Sequence, residues 1–130
     1  MILEAKSCGL AVVVWSYPRG QGVSKEGQNA IDVFCYAGYI AATLGAHIIK
    51  LKPPSNFIEQ EDALKIYHDH HIQTSTLDQR VRQVMKSVFN GKRLVVFSGL
   101  CTKSDQEILD DVKMINQGGG SGSIIGRNSF

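Results

Sequence analysis

Short apolar runs rich in β-branched residues alternate with amphipathic segments along the whole chain. Runs of this kind predict strands buried on both faces in a parallel sheet, and apolar residues at helical spacing predict the helices between them. The alternation therefore restricts the chain to a parallel α/β fold. The predicted strands are 10–16, 47–52, 93–99 and 123–126. The predicted helices are the end of one over 1–9, then 28–44, 59–67, one that opens at Thr76 and is ended by Asn90-Gly91, and one that opens at Ser104.

Local signals define the starts of the last two helices. Thr76–Gln79 and Ser104–Glu107 both fit the capping-box pattern, in which the first side chain and the fourth satisfy backbone N–H groups reciprocally. The glycine-rich run Gly118–Gly122 resembles a flexible linker, but a predicted strand follows it immediately. We therefore expect this run to be part of the fold.

The length of each βα unit indicates which parallel fold the chain adopts. Roughly 30 residues per unit, taken eight times, gives about the 250 residues typical of a (β/α)8 TIM barrel. The chain has 130 residues, so we predict one partial TIM-barrel domain over residues 1–130 with about four βα units. A small doubly wound sheet is the alternative, although it would leave the last strand poorly covered.

Composition places the chain among globular proteins, with 43% hydrophobic and 20% charged residues. The net charge of +2 is too small to argue for a nucleic acid or membrane partner. No apolar run approaches the roughly 18 residues of a membrane span, and no secretory signal is evident. The three cysteines form no CxxC motif and are typical of reduced thiols, so we expect a cytoplasmic protein.

The second predicted strand carries two lysines, Lys50 and Lys52, at positions i and i+2. Side chains alternate along a strand, so both project from the same face. A neighbouring positive charge and partial desolvation each lower the pKa of a lysine, and a neutral lysine attacks carbonyls to form a Schiff base. A solvated edge strand is the alternative reading of the motif by itself.

Reactive and polar residues also follow the other predicted strands. Sites in parallel α/β folds form at the carboxyl ends of the strands, so this convergence predicts a common site. Backbone N–H groups in glycine-containing turns, together with an arginine, favour phosphate. Tyr17 is a candidate proton carrier, Trp15 can contact a substrate, and the alternative for either is packing in the core. The residues concerned are Trp15, Tyr17 and Arg19, then Ser98 and Gly99, then Gly126 and Arg127.

The histidines and cysteines give weaker signals. His68, His70 and His71 follow a polar helix without the spacing of a metal site, so we expect a solvated surface and no metal. No histidine is placed by the sequence to serve Cys101 as a base. Nucleotide-binding glycine motifs are absent from the sequence.

Four stretches closely resemble the archaeal-type class I fructose-bisphosphate aldolases of archaea and bacteria. They occur in that family's order and spacing, and the resemblance covers essentially the whole chain, matching strands five to eight of the family's barrel. The stretches are VWSYPRG at 14–20, LGAHIIKLK at 44–52, VVFSG at 95–99 and IGRN at 125–128.

The resemblance implies a reversible Schiff-base cleavage of fructose 1,6-bisphosphate to dihydroxyacetone phosphate and glyceraldehyde 3-phosphate, in glycolysis or gluconeogenesis, without metal or cofactor. By the family's pattern, Lys50 matches the Schiff-base lysine and Tyr17 the proton-donating tyrosine. The substrate and phosphate contacts then match Trp15, Arg19, Ser98, Gly99, Gly126 and Arg127, with Lys52 beside them.

Two departures from the family's pattern leave alternatives open. Leu100 stands where the family usually has a second glycine, and a side chain there crowds the phosphate turn. The family's first four strands and final helix have no counterpart in this sequence. We therefore expect a partner, either further copies in a homo-oligomer or a complementary N-terminal half. The alternative functions are an inactive remnant that binds phosphosugar or another chain, and a related Schiff-base aldolase or thiolase acting on another phosphorylated sugar.

Overall fold

The computed structural model describes residues 1–99 and 104–126. Within these ranges the chain forms one parallel sheet of four strands, in the order β1-β2-β3-β4. Each strand pairs with the next one along the chain, and Trp15, Lys50, Val96 and Gly122 lie side by side in one row across the sheet. The strands are β1 Val13–Trp15, β2 Ile48–Leu51, β3 Leu94–Ser98 and β4 Gly122–Ile124.

Helices connect the strands, and the predicted order of elements is confirmed. The third helix ends two residues later than predicted, at Asp69, and the fourth ends at Ser87, ahead of the predicted stop at Asn90–Gly91. Both predicted capping boxes are present, at Thr76 and Ser104. The helices are α1 Ile2–Ser7, α2 Ile31–Thr43, α3 Glu61–Asp69, α4 Leu77–Ser87 and α5 Asp105–Gln117, with a 3-10 turn at Gly27–Asn29 before α2.

The core lies between one face of the sheet and the helices. Alternate residues of β2 and β3 point into it and are fully buried, as expected for strands covered by crossover helices. Helix α2 packs on α4, and α4 packs on α5, so these three helices cover the same face. The principal core residues are Phe34, Ala41, Ile49, Leu51, Val81, Val84, Val88, Val95, Phe97 and Ile115.

This arrangement decides between the two predicted folds. A doubly wound sheet places helices on both faces and reverses its strand order at a switch point. Here the strand order never reverses and the connecting helices α2, α4 and α5 share one face. The sheet is therefore part of a (β/α)8 barrel, as predicted, and its other face corresponds to the barrel interior. No helix in the described residues is long and apolar enough to cross a membrane.

The prediction for the first strand was wrong in length and in burial. Ladder pairing extends only over Val13–Trp15, and Val13 and Trp15 are 49% and 67% exposed. Both side chains point to the uncovered face, and β1 forms an edge of the sheet. Periodicity reports how apolar a strand is, whereas burial depends on whether another element covers that face. Within the described residues, none covers the interior face of β1.

The glycine-rich run belongs to the fold, as predicted. A Cβ atom on Gly118 would lie 2.6 Å from the carbonyl oxygen of Asp78 and 2.6 Å from Cβ of Val81. Glycine thus allows the end of α5 to approach the start of α4. The strand β4 begins shortly afterwards, at Gly122.

We expect Gly118→Ala to lower the free energy of unfolding by about 1–3 kcal/mol, because backbone and Cβ atoms must move apart to admit the methyl group. Gly122→Ala is the matched control, since its nearest neighbour would be Val96 Cγ1 at 3.9 Å. Urea denaturation of the two variants checks the difference. Equal midpoints would show that the contact between α4 and α5 does not restrict the residue at this position.

Candidate active site

The carboxyl ends of β1, β2 and β3 bring the predicted reactive side chains together on the uncovered face. Trp15 and Lys50 are paired residues of neighbouring strands, so they project in the same direction. Tyr17 and Lys52 each lie two residues further on, and alternation returns them to the same face. The spacing of two residues along each of two neighbouring strands therefore places two aromatic rings and two ammonium groups on one face.

Each lysine lies against its own aromatic ring. Lys50 Nζ is 3.7 Å from the centroid of the Trp15 ring, and Lys52 Nζ is 5.9 Å from that of Tyr17. The face of an aromatic ring attracts a cation by about 0.5–1 kcal/mol at an exposed site. Trp15 is largely exposed, so the alternative in which it packs in the core is wrong. It lies instead over the amine that the sequence predicts to be the nucleophile.

Tyr17 and Ser98 are joined by a hydrogen bond between their hydroxyl groups, 2.7 Å from Tyr17 Oη to Ser98 Oγ. Ser98 ends β3 and is only 4% exposed. Gly99 follows with φ +81°, a left-handed conformation that favours glycine, and a Cβ atom there would lie 3.7 Å from Lys52 Cγ. The turn after β3 therefore lies beside the Lys52 side chain, just after the end of β2.

Not every predicted residue joins this cluster. The Arg19 side chain is exposed, and its guanidinium donates to the carbonyl oxygen of Pro18 at 3.1 Å. Gly126 is exposed, and a Cβ atom on it would meet nothing within 4 Å among the described residues. Arg127, predicted to bind phosphate, lies outside the described residues, as does Leu100. The structure thus brings together Trp15, Tyr17, Lys50, Lys52, Ser98 and Gly99.

A cleft of about 610 Å³ lies beside Lys52 and Gly99, and sequence reasoning did not find it. Arg80 and Asp111 line it. Arg80 donates to the carbonyl oxygen of Pro54, in the loop after β2, and to those of Thr74 and Ser75, in the loop before α4, at 2.8 Å each; burial lowers its pKa. Asp111 was detectable, because it follows Ile108 by three residues and precedes Ile115 by four, which places a carboxylate on the buried face of α5.

The loop after β1 is anchored by the carboxylate of Glu59. It accepts hydrogen bonds from the backbone N–H of Ser24 at 2.7 Å and from its hydroxyl at 2.6 Å. These two bonds hold the pKa of Glu59 below its ordinary value. The chain segment that carries Tyr17 and Arg19 is therefore tied to the segment that precedes α3.

The histidines, and the two cysteines within the described residues, take structural or surface positions. His68, His70 and His71 are exposed, as predicted. His47 Nδ1 accepts the backbone N–H of Val12 at 2.9 Å and so links the starts of β1 and β2. Burial raises the pKa of the Cys35 thiol to about 11, which leaves it protonated near neutral pH. Cys101 lies outside the described residues, and no group of metal-ligating side chains occurs in 1–99 and 104–126.

The cluster has the groups required for amine chemistry on a carbonyl compound. It offers the Lys50 amine on an open face, the Tyr17 phenol, which can give or take a proton, and a glycine-containing turn beside Tyr17 and Lys52. Amines of this kind form iminium ions with ketones, and an iminium withdraws electrons from the neighbouring carbon. The phenol supplies general acid–base catalysis.

Comparisons with known proteins agree with this chemistry. The chain is 36% identical over 124 residues to a class 1 fructose-bisphosphate aldolase of Halobacterium salinarum, a match that covers 95% of this chain and 38% of that protein. It also matches the solved structure of an archaeal fructose-1,6-bisphosphate aldolase whose catalytic lysine is covalently bound to the carbinolamine intermediate of the substrate. That match has a TM-score of 0.71 at 27% identity and covers 97% of this chain and 41% of the other.

A fructose-bisphosphate aldolase from Slackia heliotrinireducens gives a TM-score of 0.75 at 28% identity, and the match covers 98% of this chain and 35% of that one. The chain thus spans about two fifths of the length of the relatives it matches. The family model for DeoC/LacD family aldolases matches residues 3–130. Together with the partial barrel of four parallel strands and the position of Lys50 on β2, this match shows that the chain belongs to the DeoC/LacD family of aldolases.

Proposed function

We propose that this chain carries the Schiff-base part of a class I fructose-bisphosphate aldolase, which reversibly cleaves fructose 1,6-bisphosphate to dihydroxyacetone phosphate and glyceraldehyde 3-phosphate. One observation carries the proposal: Lys50 lies on the open interior face at the carboxyl end of β2, with its amine 3.7 Å from the centroid of the Trp15 ring, which is itself 6.3 Å from that of Tyr17. The two solved relatives named above are both fructose-bisphosphate aldolases.

In the proposed reaction, Lys50 Nζ attacks the substrate ketone, and the carbinolamine that forms loses the ketone oxygen as water to give an iminium ion. The C3–C4 bond then breaks as the C4 hydroxyl gives its proton to a base. The electron pair of that bond moves toward the iminium, which leaves an enamine and the free aldehyde. Tyr17 protonates the enamine carbon and then recovers a proton from the base that took the C4 hydroxyl proton. Hydrolysis of the resulting iminium releases dihydroxyacetone phosphate and regenerates the amine.

The remaining site residues are proposed to hold the substrate. Trp15 and Arg19 contact the sugar, and Lys52 offers a positive charge next to the turn after β3. The phosphate groups bind at two glycine-containing turns, where backbone N–H groups can approach an anion closely. The residues proposed for phosphate are Ser98, Gly99, Gly126 and Arg127.

We further propose that a second segment completes the barrel around this cytoplasmic partial domain, which extends over residues 1–130. The uncovered face of the sheet carries apolar side chains, including Val13, Leu94 and Ile124, and β1 offers an unpaired edge within the described residues. Such an edge readily pairs with another strand. The partner is either a complementary N-terminal half or a further copy in a homo-oligomer.

The uncovered face of the sheet also favours one other function. A sheet with a bare interior face also fits an inactive remnant that binds a phosphorylated sugar or another chain without cleaving it. The two functions differ in one chemical property, because only the aldolase forms a covalent bond between Lys50 and a ketone substrate.

Borohydride trapping distinguishes them. The purified chain is incubated with dihydroxyacetone phosphate and sodium borohydride, and the product is read by intact mass and peptide mapping. We expect one adduct per chain, on the peptide that contains Lys50. A folded chain that binds the sugar phosphate and gains no adduct would contradict the aldolase and support the remnant.

A further inference from the structure

The hydroxyl pair of Tyr17 and Ser98 bridges β1 and β3 across the end of β2. Their oxygens are 2.7 Å apart although the residues are separated by 81 positions in the sequence. Ser98 is almost completely buried and Tyr17 is half-buried. The bond therefore lies at the base of the site and is partly shielded from water, which makes it stronger than a bond on the open surface.

The two partners differ in how firmly the fold holds them. Ser98 belongs to β3, which pairs on both sides, and it is itself paired with Ile124. Tyr17 follows the edge strand β1, beyond its last ladder pair at Trp15. The hydroxyl bond thus ties a side chain at the margin of the sheet to one fixed in its centre.

We infer that Ser98 is a positioning residue for Tyr17: it holds the phenol over the site and donates a hydrogen bond to the phenolate that forms when Tyr17 gives up its proton. The inference rests on the proposed function of Tyr17 as the proton carrier. It adds a role for Ser98 that binding of phosphate alone does not include.

The proton transfer balances with this assignment. The enamine carbon takes the phenol proton, its C=C electron pair becomes the new C–H bond, and the nitrogen lone pair restores the C=N double bond of the iminium. The enamine thus becomes a cation while Tyr17 becomes an anion. The Ser98 hydroxyl then donates to that anion in a charge-assisted hydrogen bond, which is about twice as strong as a neutral one.

The assignment also restricts how the turn after β3 can hold phosphate. A serine hydroxyl has a single hydrogen to donate. If Ser98 donates it to Tyr17, phosphate at this turn is bound by backbone N–H groups and not by the serine hydroxyl. Removal of the hydroxyl should then slow proton transfer without weakening the binding of sugar phosphate.

The test compares Ser98→Ala with Ser98→Thr, which keeps the hydroxyl, in the full chain. One readout is the concentration of dihydroxyacetone phosphate that gives half-maximal borohydride trapping on Lys50. The other is the rate at which the carbon-bound hydrogen of dihydroxyacetone phosphate exchanges with deuterium oxide at saturation. For Ser98→Ala we expect the exchange rate to fall about 10- to 100-fold, which is part of the full effect of general acid catalysis. The concentration that gives half-maximal trapping should not change. Ser98→Thr should stay within about threefold of the parent chain, because it retains the hydroxyl donor.

Two results would overturn the positioning role. If Ser98→Ala needs a higher concentration of dihydroxyacetone phosphate for half-maximal trapping, and its rate of hydrogen exchange is unchanged, the hydroxyl is a phosphate ligand. Equal losses of both readouts in the alanine and threonine variants would make it a structural residue.

A double-mutant cycle measured by unfolding in the absence of substrate separates this inference from the proposed function. Tyr17→Phe and Ser98→Ala should be non-additive by about fivefold in the unfolding equilibrium constant, since both remove the same bond. Additive effects in a chain that still traps substrate would overturn the positioning role alone. A folded parent chain that traps nothing would overturn the proposed function, and this role with it.

Discussion

Replacement of Lys50 by methionine should eliminate covalent trapping of dihydroxyacetone phosphate, a loss of at least about 10³-fold in adduct formation, because no other group provides the nucleophilic amine at that position. Methionine preserves the unbranched stem against the Trp15 ring, which lies 3.7 Å from the ammonium in the parent chain. The measurement is the mass of the borohydride-reduced product.

Lys52→Met is the matched control, because it removes the same charge two residues further along the chain, on the same face of the sheet. Lys52 lies over Tyr17 and beside Gly99, so we expect this variant to keep its adduct on Lys50. An adduct on Lys52 of the parent chain would retain the chemistry and contradict the assignment of the nucleophile. Thermal unfolding of both variants shows whether either change disturbs the fold.

Phe97→Ala should lower the free energy of unfolding by about 3–5 kcal/mol, the usual effect of removing a buried aromatic side chain and leaving a cavity. Phe97 is completely buried between the sheet and its helices. It also packs on the glycine-rich run, since a Cβ atom on Gly120 would lie 3.0 Å from Phe97 Cε2. Urea denaturation checks the prediction, provided that the dependence of the free energy of unfolding on urea concentration has the same slope in variant and parent chain.

Leu94→Ala is the control from the same strand. Leu94 is 53% exposed on the uncovered face, and we expect an effect of about 0.5 kcal/mol or less for a surface change of this kind. A loss for Leu94→Ala as large as that for Phe97→Ala would contradict the exposure of the Leu94 side chain on a bare face of the sheet. It would show that another polypeptide covers the interior face in solution.

The helix starts were predictable because they depend on local chemistry. In both capping boxes the partners are three residues apart, so Thr76 with Gln79 and Ser104 with Glu107 contain the signal within one turn. Helix ends were less predictable, since α4 stops at Ser87 three residues ahead of the expected asparagine. Ends depend on how the next segment packs, which a local pattern does not report.

The candidate site was predictable where strand parity and topology alone assemble it. Lys50 and Lys52 share a face by alternation, and parallel strands place Tyr17 and Ser98 at the same edge as the lysines. That Tyr17 and Ser98 touch depends on how far one strand extends beside another. Their separation of 81 residues puts this contact beyond any sequence window.

Sequence by itself determined the α/β alternation, the helix starts and the strand ends at which chemistry gathers, because each follows from periodicity or from neighbours a few residues away. The tertiary structure alone decided three other features. It left one face of the sheet bare around Trp15, gave each lysine its own aromatic ring, and joined Tyr17 to Ser98. These features depend on which segments come together in space, and distances between remote segments are fixed only when the whole core packs.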